Sequence, residues 1–319
     1  MLARTAENLY WLSRQIERAD FAARIIDATL RLSGLPKAYG GSSGEWEGAL
    51  QALGATSAFK ARFEDVERSS VLEFLTFDME NPASIRNCIA AARTNARAVR
   101  AALTTEMWQS INSAWLELTR LEDQRRAGKG DPGEELTYFL DFVKTLARDF
   151  DGAAYRTMLR NEAYWFNRIG LYIERADNTA RILDVKYHVL LPQSEQVGGS
   201  LDYFQWTSIL RSVSALTAYH WVYRESIKPW LVADLLVKRP EMPRSLYSCY
   251  ENLTRFLDEL AREYGRQGQA QRHARSVAGA IGNARMDEIF QDGLHEYIGS
   301  FLDQNNRLGN ILTEQYLAV

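Results

Sequence analysis

Cysteine is almost absent from this sequence of 319 residues, which contains only Cys88 and Cys249. Neither belongs to a CxxC pair or to a cysteine–histidine cluster with the spacing of a zinc site, so no metal site is predicted. Two cysteines are also too few for a disulfide framework. We therefore expect both to be free thiols in a reducing, cytoplasmic setting.

Long apolar runs are missing as well. The most apolar stretch, KPWLVADLLVK (228–238), is too short to span a bilayer and contains Asp234. Residues 1–20 carry charge throughout, unlike a signal peptide, so we expect a cytoplasmic protein that does not bind a membrane. The 38 basic and 41 acidic residues give a formal net charge of -3, which argues against nucleic acid as a partner.

The common catalytic signatures do not occur either. The sequence has no Gly-rich phosphate loop, no GxSxG elbow and no cysteine–histidine nucleophile pair. The Glu-x-x-His spacing of di-iron helical bundles is also missing. We therefore predict no cofactor, and no motif assigns a catalytic role to any residue.

Proline is scarce, with seven residues in all, and the apolar residues follow a helical period. They recur every three or four positions, as at Leu136, Phe139, Leu140, Val143, Leu146, Ala147 and Phe150. This spacing is typical of amphipathic helices, so the fold is predicted to be all-α. Helices are expected near residues 3–32, 45–66, 84–104, 106–127, 134–156, 158–190, 201–224, 244–264 and 270–316 (the last one broken), with short helices at 70–79 and 227–237.

Two nearly identical charged segments lie half a chain apart, QIERADFAARIID (15–27) and YIERADNTARILD (172–184). Their shared residues align at an offset of 157, and further matches follow in order at larger offsets, up to the two cysteines at 161 and beyond. Ordered matches of this kind indicate an internal duplication. We predict two helical-bundle repeats, 1–132 and 158–319, related by a pseudo-two-fold axis and joined by a connecting helix at 133–157.

Each repeated segment carries a narrow charged stripe. On a helix at about 100° per residue, four charged residues share a sector of about 80° with apolar residues on both sides. Each stripe has three acids and one arginine, so it lacks two positive charges, and buried acids need partners. The candidate binding residues, with the arginine of each Glu-Arg pair included, are Glu17, Arg18, Asp20, Arg24 and Asp27 in the first segment and Glu174, Arg175, Asp177, Arg181 and Asp184 in the second.

Three interpretations of the stripes remain open. The first is a buried ion-pair network that fixes how helices dock, with Arg18 or Arg175 of the opposite repeat, or arginines from elsewhere, as partners. The second is a ligand site, for which the missing positive charge predicts an amine, a basic side chain of a peptide or a divalent cation. The third is acid/base or metal chemistry. If the two stripes face each other and their charges are paired, the ion-pair network is favoured. If they line an open cleft with unpaired carboxylates, a ligand site or a catalytic site is favoured.

Four separated motifs are distinctive: MLARTAENLYWLSRQIERAD (1–20), MLRNEAYWF (158–166), IERADNTARILDVKYH (173–188) and EIFQDGLHEYI (288–298). Together they resemble the alpha-E domain family, bacterial all-helical proteins named for a shared Glu-Arg motif. The Glu-Arg pairs here are Glu17–Arg18 and Glu174–Arg175. The resemblance extends over essentially the whole chain.

The resemblance implies a functional context. Members of this family are typically encoded beside a circularly permuted ATP-grasp ligase, a transglutaminase-like cysteine peptidase and a proteasome-like amidohydrolase, and some are fused to the ligase. The implied role is in making, modifying or cutting amide or peptide bonds. We expect a non-catalytic helical component that binds the ligase or its peptide substrate. The alternative is an enzyme of the same pathway that uses the acids of the repeated IERAD segment.

Overall fold

The computed structural model describes residues 1–34, 44–128, 131–189 and 200–317. Within these ranges the protein is all-helical, with fifteen α-helices and no β-strand, which confirms the predicted fold class. Residue 190, the end of the helix expected at 158–190, lies outside them. The helices are α1 (Ala3–Ser33), α2 (Gly44–Ala52), α3 (Thr56–Lys60), α4 (Arg68–Thr76), α5 (Ile85–Ala98), α6 (Thr105–Arg126), α7 (Pro132–Thr157), α8 (Glu162–Val189), α9 (Ser200–Ser212), α10 (Leu216–Tyr223), α11 (Pro229–Val237), α12 (Leu246–Glu263), α13 (Gln269–Asn283), α14 (Met286–Asp292) and α15 (Leu294–Leu312).

Two of the predicted helices are each divided in two. The segment 45–66 contains α2 and α3, and the segment 201–224 contains α9 and α10. At both breaks the chain passes through a left-handed residue, Gly54 with φ 62° and Ser214 with φ 57°. The amide after each of these residues donates to the carbonyl five residues back, at 2.8 and 2.7 Å. This is the Schellman arrangement, which ends a helix by satisfying its last carbonyl groups.

Two predicted boundaries are also wrong by several residues. The helix expected from residue 158 begins at Glu162, because Asn161 accepts a hydrogen bond from the amide of Ala163 at 3.1 Å and caps the helix there. The helix expected to reach residue 104 ends at Ala98 and is followed by a short 3-10 turn. The period of the apolar residues shows neither the cap nor the turn.

The helices that carry the repeated segments, α1 and α8, lie at the centre of the molecule. They contact each other more extensively than any other pair of described helices. Helices α5, α7 and α9 also pack on α1, whereas α12 and α15 pack on α8. Buried residues of α1 face several directions, as Leu9, Leu12, Phe21 and Ile26 show. A helix surrounded in this way is a core helix, and it encloses Glu17 and Asp20 of the first charged segment.

Helices α1 and α8 run side by side in the same direction. The N-terminal ammonium group of Met1 lies 2.8 Å from Oε2 of Glu162 at one end. Further along, Gly170 lies against the backbone of Tyr10. The charged segments then follow in register on the two helices. This arrangement brings the first Glu-Arg pair next to the second.

The outer helices are amphipathic and turn one apolar face inward. On α7, Phe139, Val143, Leu146 and Phe150 are buried, as their spacing predicted. Proline at its first position and the Asp131 side chain, which accepts from the amides of the first turn at 2.9 and 3.0 Å, start this helix. None of the described helices combines the length and apolar character needed to cross a bilayer.

The two cysteines are free thiols, as predicted, and both are buried. Cys88 lies on α5 and Cys249 on α12. Burial raises the pKa of each thiol to about 12. Because the thiolate is the reactive form, both cysteines are inert core residues at neutral pH.

Candidate functional site: a reciprocal Glu–Arg network

The two Glu-Arg pairs meet where α1 and α8 touch. Arg18 donates from Nε to Oε1 of Glu174 at 2.6 Å. Arg175 donates from Nη2 to Oε2 of Glu17 at 3.0 Å. Each motif therefore supplies the arginine that neutralises the glutamate of the other motif. The first of the three interpretations left open by the sequence included pairs between Arg18 or Arg175 and the opposite stripe. The structure contains both of these pairs.

A second arginine binds each glutamate. Arg14, one turn before Arg18 on α1, donates from Nε to Oε2 of Glu174 at 2.7 Å. Arg244, just before α12, donates from Nη1 to Oε1 of Glu17 at 2.6 Å. The positive charge that each stripe lacks is thus supplied by the protein, and no bound cation is required to balance the glutamates. The sequence predicted a deficit of positive charge because only residues within each stripe were counted. Arg14 and Arg244 lie outside the stripes and correct that expectation.

Burial and the arginines have opposite effects on the glutamates. Only 3% of Glu17 and 2% of Glu174 is exposed. Burial by itself raises the pKa of Glu17, but the charges and hydrogen bonds of Arg175 and Arg244 outweigh it and lower the pKa to about 2. Burial likewise opposes Arg14 and Arg18 at Glu174, and its pKa is also lowered. Both carboxylates are therefore ionised at neutral pH.

We expect this network to make the protein sensitive to acid. The pKa of Glu17 falls from an ordinary 4.5 to about 2 in the folded state, so its stabilisation is fully present above pH 4.5 and is lost as pH falls towards 2. The loss attributable to this one group is about 3 kcal/mol. Urea unfolding at a series of pH values measures it, and Glu17→Gln should show a shallower slope between pH 4.5 and 2.

An exposed acid provides the control for the acid experiment. Asp123 pairs with Arg126 on the surface of α6, and both side chains are largely exposed. Asp123→Asn should keep the wild-type slope because surface pairs contribute little. If Glu17→Gln and wild type lose stability in parallel over this pH range, the depressed pKa of Glu17 is wrong.

Further along each stripe, the arginine pairs with the aspartate four residues before it and lies next to a helix-ending turn. Arg24 donates from Nε to Oδ2 of Asp20 at 2.7 Å and from Nη1 to Oγ of Ser214 at 2.8 Å. Arg181 donates from Nε to Oδ2 of Asp177 at 2.6 Å.

The guanidinium group of Arg181 lies close to the Schellman turn at Gly54: a Cβ atom added there would lie 2.9 Å from Nη1. Arg24 bonds to the corresponding turn at Ser214. The two arginines of the stripes therefore lie against the two turns that divide the predicted helices.

The last acid of each stripe lies away from this cluster. Asp27 pairs with Arg31 and with Lys144 of α7, each at 3.2 Å. Asp184 lies 2.5 Å from Nδ1 of His295 on α15. These two candidates are paired at the periphery, so the structure brings together eight of the ten predicted residues and leaves Asp27 and Asp184 outside.

Several members of the network were not predicted from the sequence. Arg14 had a usable signal, since it lies four residues before Arg18 and therefore on the same face of α1. Arg244 and Ser214 had none, because they reach the motif from distant segments. Among the described residues, no group of three or more His, Cys, Asp or Glu side chains is placed to hold a metal ion.

The protein is therefore all-helical in its described part, and two Glu-Arg pairs join its two central helices. The chain belongs to the Alpha-E family: the family model, described as a predicted alpha-helical domain with a conserved ER motif, matches residues 1–317. This confirms the resemblance drawn from the sequence. Comparisons with curated proteins and with solved structures gave no match.

Proposed function

We propose that this protein is a non-catalytic helical component that binds an ATP-grasp ligase in the cytoplasm. The pair would act in the formation or modification of amide or peptide bonds, with a transglutaminase-like protein as a second partner. The resemblance to the family supports the identity of these partners. The observation that carries a binding role is a pair of exposed tryptophans, Trp221 and Trp230.

The two tryptophans lie on consecutive short helices that contact each other, α10 and α11. Trp221 is 74% exposed and Trp230 is 50% exposed, and Val222 beside them is also exposed. Large aromatic side chains in water are costly for a monomer and are enriched among the residues that dominate protein interfaces. Nζ of Lys228 lies 5.4 Å from the ring centre of Trp230, and half of Trp230 remains exposed.

The alternative function, an enzyme that uses the acids of the IERAD segments, has less support. General acid/base catalysis needs a group whose pKa lies near the working pH. The pKa of Glu17 is lowered to about 2, and that of Glu174 is lowered too, so neither carries a proton to donate at neutral pH. Each is also bound by two arginines, which leaves little room for a substrate.

We propose a peptide, rather than an amine, as the ligand that the protein presents to its partner. An amine, a basic side chain of a peptide or a divalent cation was expected because the stripes lack positive charge. Four arginines, Arg14, Arg18, Arg175 and Arg244, now surround the two glutamates. This cluster repels a cation that approaches it, whereas a neutral peptide group is not repelled.

We also propose that the chain is a duplicated unit, with repeats 1–132 and 158–319 and a connecting helix at 133–157. Corresponding positions of the sequence repeat make matching contacts. Ser84 and Ser245 both cap a helix by accepting from the amide three residues ahead, at 3.2 and 3.0 Å. The left-handed turns also match. In an experimental structure, superposing 1–127 on 158–319 should bring Glu17 onto Glu174, and failure to do so would reject the two-repeat layout.

Affinity purification from the host tests the proposed function. The tagged protein should retain an ATP-grasp ligase, and Trp221→Ala/Trp230→Ala should lose it. The matched control is Leu116→Ala/Tyr155→Ala, which removes two equally exposed apolar side chains from α6 and α7 and should retain the ligase. Retention by the tryptophan variant would reject this surface.

Activity measurements on the pure protein test the non-catalytic part of the proposal. We expect no turnover of ATP or of peptides. Turnover that disappears in a folded Glu17→Gln variant would instead establish the enzymatic alternative.

A further inference from the structure

An apolar cavity lies between α4, α6 and α7. Its volume is about 420 Å³, which is within the range of clefts that bind ligands (about 300–1,000 Å³). Leu72, Phe77 and Leu136 line it and are only partly buried, and the buried Phe139 lines it as well. Large apolar side chains that remain partly exposed around one cavity are typical of a binding surface.

The helix that corresponds to α4 in the second half of the chain is α11. At the offset of 161, Val71 and Leu75 of α4 align with identical residues of α11, Val232 and Leu236, and all four are buried. Helix α4 packs on α2 and α5, and α11 packs on α9 and α12 in the same way. The two helices therefore hold corresponding places in the two halves.

In the second half, a short helix packs at this place. Helix α11 contacts α14, which also contacts α15, and Ile289 of α14 is buried. Lys238 aligns with Phe77 of the cavity, and its Nζ donates to the carbonyl oxygen of Ala284, just before α14. An apolar side chain on a short helix is thus held beside α11 by the chain itself.

The first half has no such helix after α6. Helix α6 packs on α5 as α13 packs on α12, but only residues 127–131 separate α6 from α7, fewer than the seven residues of α14. Leu72 is only partly buried, whereas the aligned Ala233 of α11 is fully buried. The cavity therefore lies open where the second half supplies an apolar helix of its own.

The charges of the cavity wall favour a basic partner. Arg125 donates to Glu73, and its guanidinium carbon lies 4.5 Å from the ring centre of Phe77. This pair is neutral overall, but Glu135 also lines the cavity and forms no ion pair within the described ranges. The wall therefore carries one negative charge in excess, which attracts a lysine or arginine and repels an acid.

We propose that this cavity binds a short amphipathic helix of a partner protein. The helix inserts a large apolar side chain beside Leu72 and Phe77, as α14 presents Ile289 in the second half. A lysine or arginine next to that side chain pairs with Glu135. The proposal rests on the two-repeat layout proposed above, but on neither the ligase nor the tryptophan surface.

Fluorescence polarisation with labelled peptides tests the proposal. The probe is the segment 284–293 of this chain with Asp287→Lys and Glu288→Lys, which makes the α14 sequence basic. It should bind the protein, and adding Ile289→Ser to the probe should weaken binding by about tenfold, the effect of losing one buried apolar side chain. The unchanged acidic segment should bind more weakly than the basic probe.

Substitutions in the protein locate the binding. Leu72→Trp fills the cavity and should weaken binding of the basic probe by about tenfold or more. Leu116→Trp is the matched control, since Leu116 is exposed on α6 and does not line the cavity, and it should bind like wild type. Glu135→Lys changes the charge of the wall and should reverse the preference between the basic and the acidic peptide.

Three results would overturn the proposal. The first is equal binding of the basic probe to folded Leu72→Trp and Leu116→Trp proteins. The second is an unchanged preference in Glu135→Lys, which decides the question if Leu72→Trp does not fold. The third is binding of indole in the cavity, measured by NMR, while neither peptide binds, which would assign a small apolar ligand instead. The peptides do not involve Trp221 or Trp230, so these failures would leave the proposed function standing.

Discussion

Glu17→Ala is expected to lower the free energy of unfolding by about 3–5 kcal/mol, the cost of removing one partner from a buried ion pair. The substitution leaves Arg175 and the Nη1 of Arg244 without their carboxylate. Only 12% of each arginine side chain is exposed, so water compensates little of the loss. Urea unfolding at pH 7, where Glu17 is fully ionised, measures the effect.

Glu174→Ala provides an internal comparison at the corresponding position. Its partners are more exposed, since 30% of the Arg18 side chain and 19% of the Arg14 side chain are open to solvent. Arg14 also keeps a cation–π contact with Trp11, whose ring centre lies 4.7 Å away. We therefore expect a smaller loss than for Glu17→Ala.

The surface substitution Asp123→Ala sets the baseline for both variants. It removes an acid from an exposed pair and should change stability by no more than about 0.5 kcal/mol. A Glu17→Ala protein as stable as Asp123→Ala would show that the network does not hold the central helices together.

The fold could be predicted to the level of helices because the apolar period is regular on the outer elements. On α7 the predicted face, from Phe139 to Phe150, is the buried one. The breaks at Gly54 and Ser214 escaped prediction for different reasons. Gly54 carried a signal, since glycine is the usual residue of a left-handed helix end. Ser214 carried none, because serine seldom adopts the left-handed conformation. In the fold its Oγ accepts a hydrogen bond from Arg24.

The candidate site could be located but not completed from the sequence. The repeat and the narrow stripes correctly identified residues that the fold would enclose, such as Glu17 and Glu174. Counting charges within one stripe left out part of the charge balance, because Arg244 joins the cluster from a segment more than two hundred residues away. Such long-range pairs depend on how helices pack, and a one-dimensional pattern does not contain that information.

The close contact between the central helices depends on one glycine. Gly170 lies within α8, and a Cβ atom at this position would lie 2.2 Å from the carbonyl oxygen of Tyr10 and 2.9 Å from its carbonyl carbon. The obstacle is the backbone of α1, which cannot rotate away as a side chain can. A single methyl group therefore forces apart the two helices whose contact aligns the Glu-Arg pairs.

Gly170→Ala is accordingly expected to destabilise the protein by about 3 kcal/mol, at the upper end of overpacking effects. The sign is diagnostic, because the same substitution inside a helix usually stabilises by up to about 1 kcal/mol. Gly279→Ala in α13 is the control, since no heavy atom outside its own helix lies within 4 Å of the new Cβ atom. Urea unfolding should therefore show opposite shifts for the two variants. A stabilised Gly170→Ala would mean that α1 and α8 lie farther apart than described, and the reciprocal pairing of Glu17 and Glu174 would lose its geometric basis.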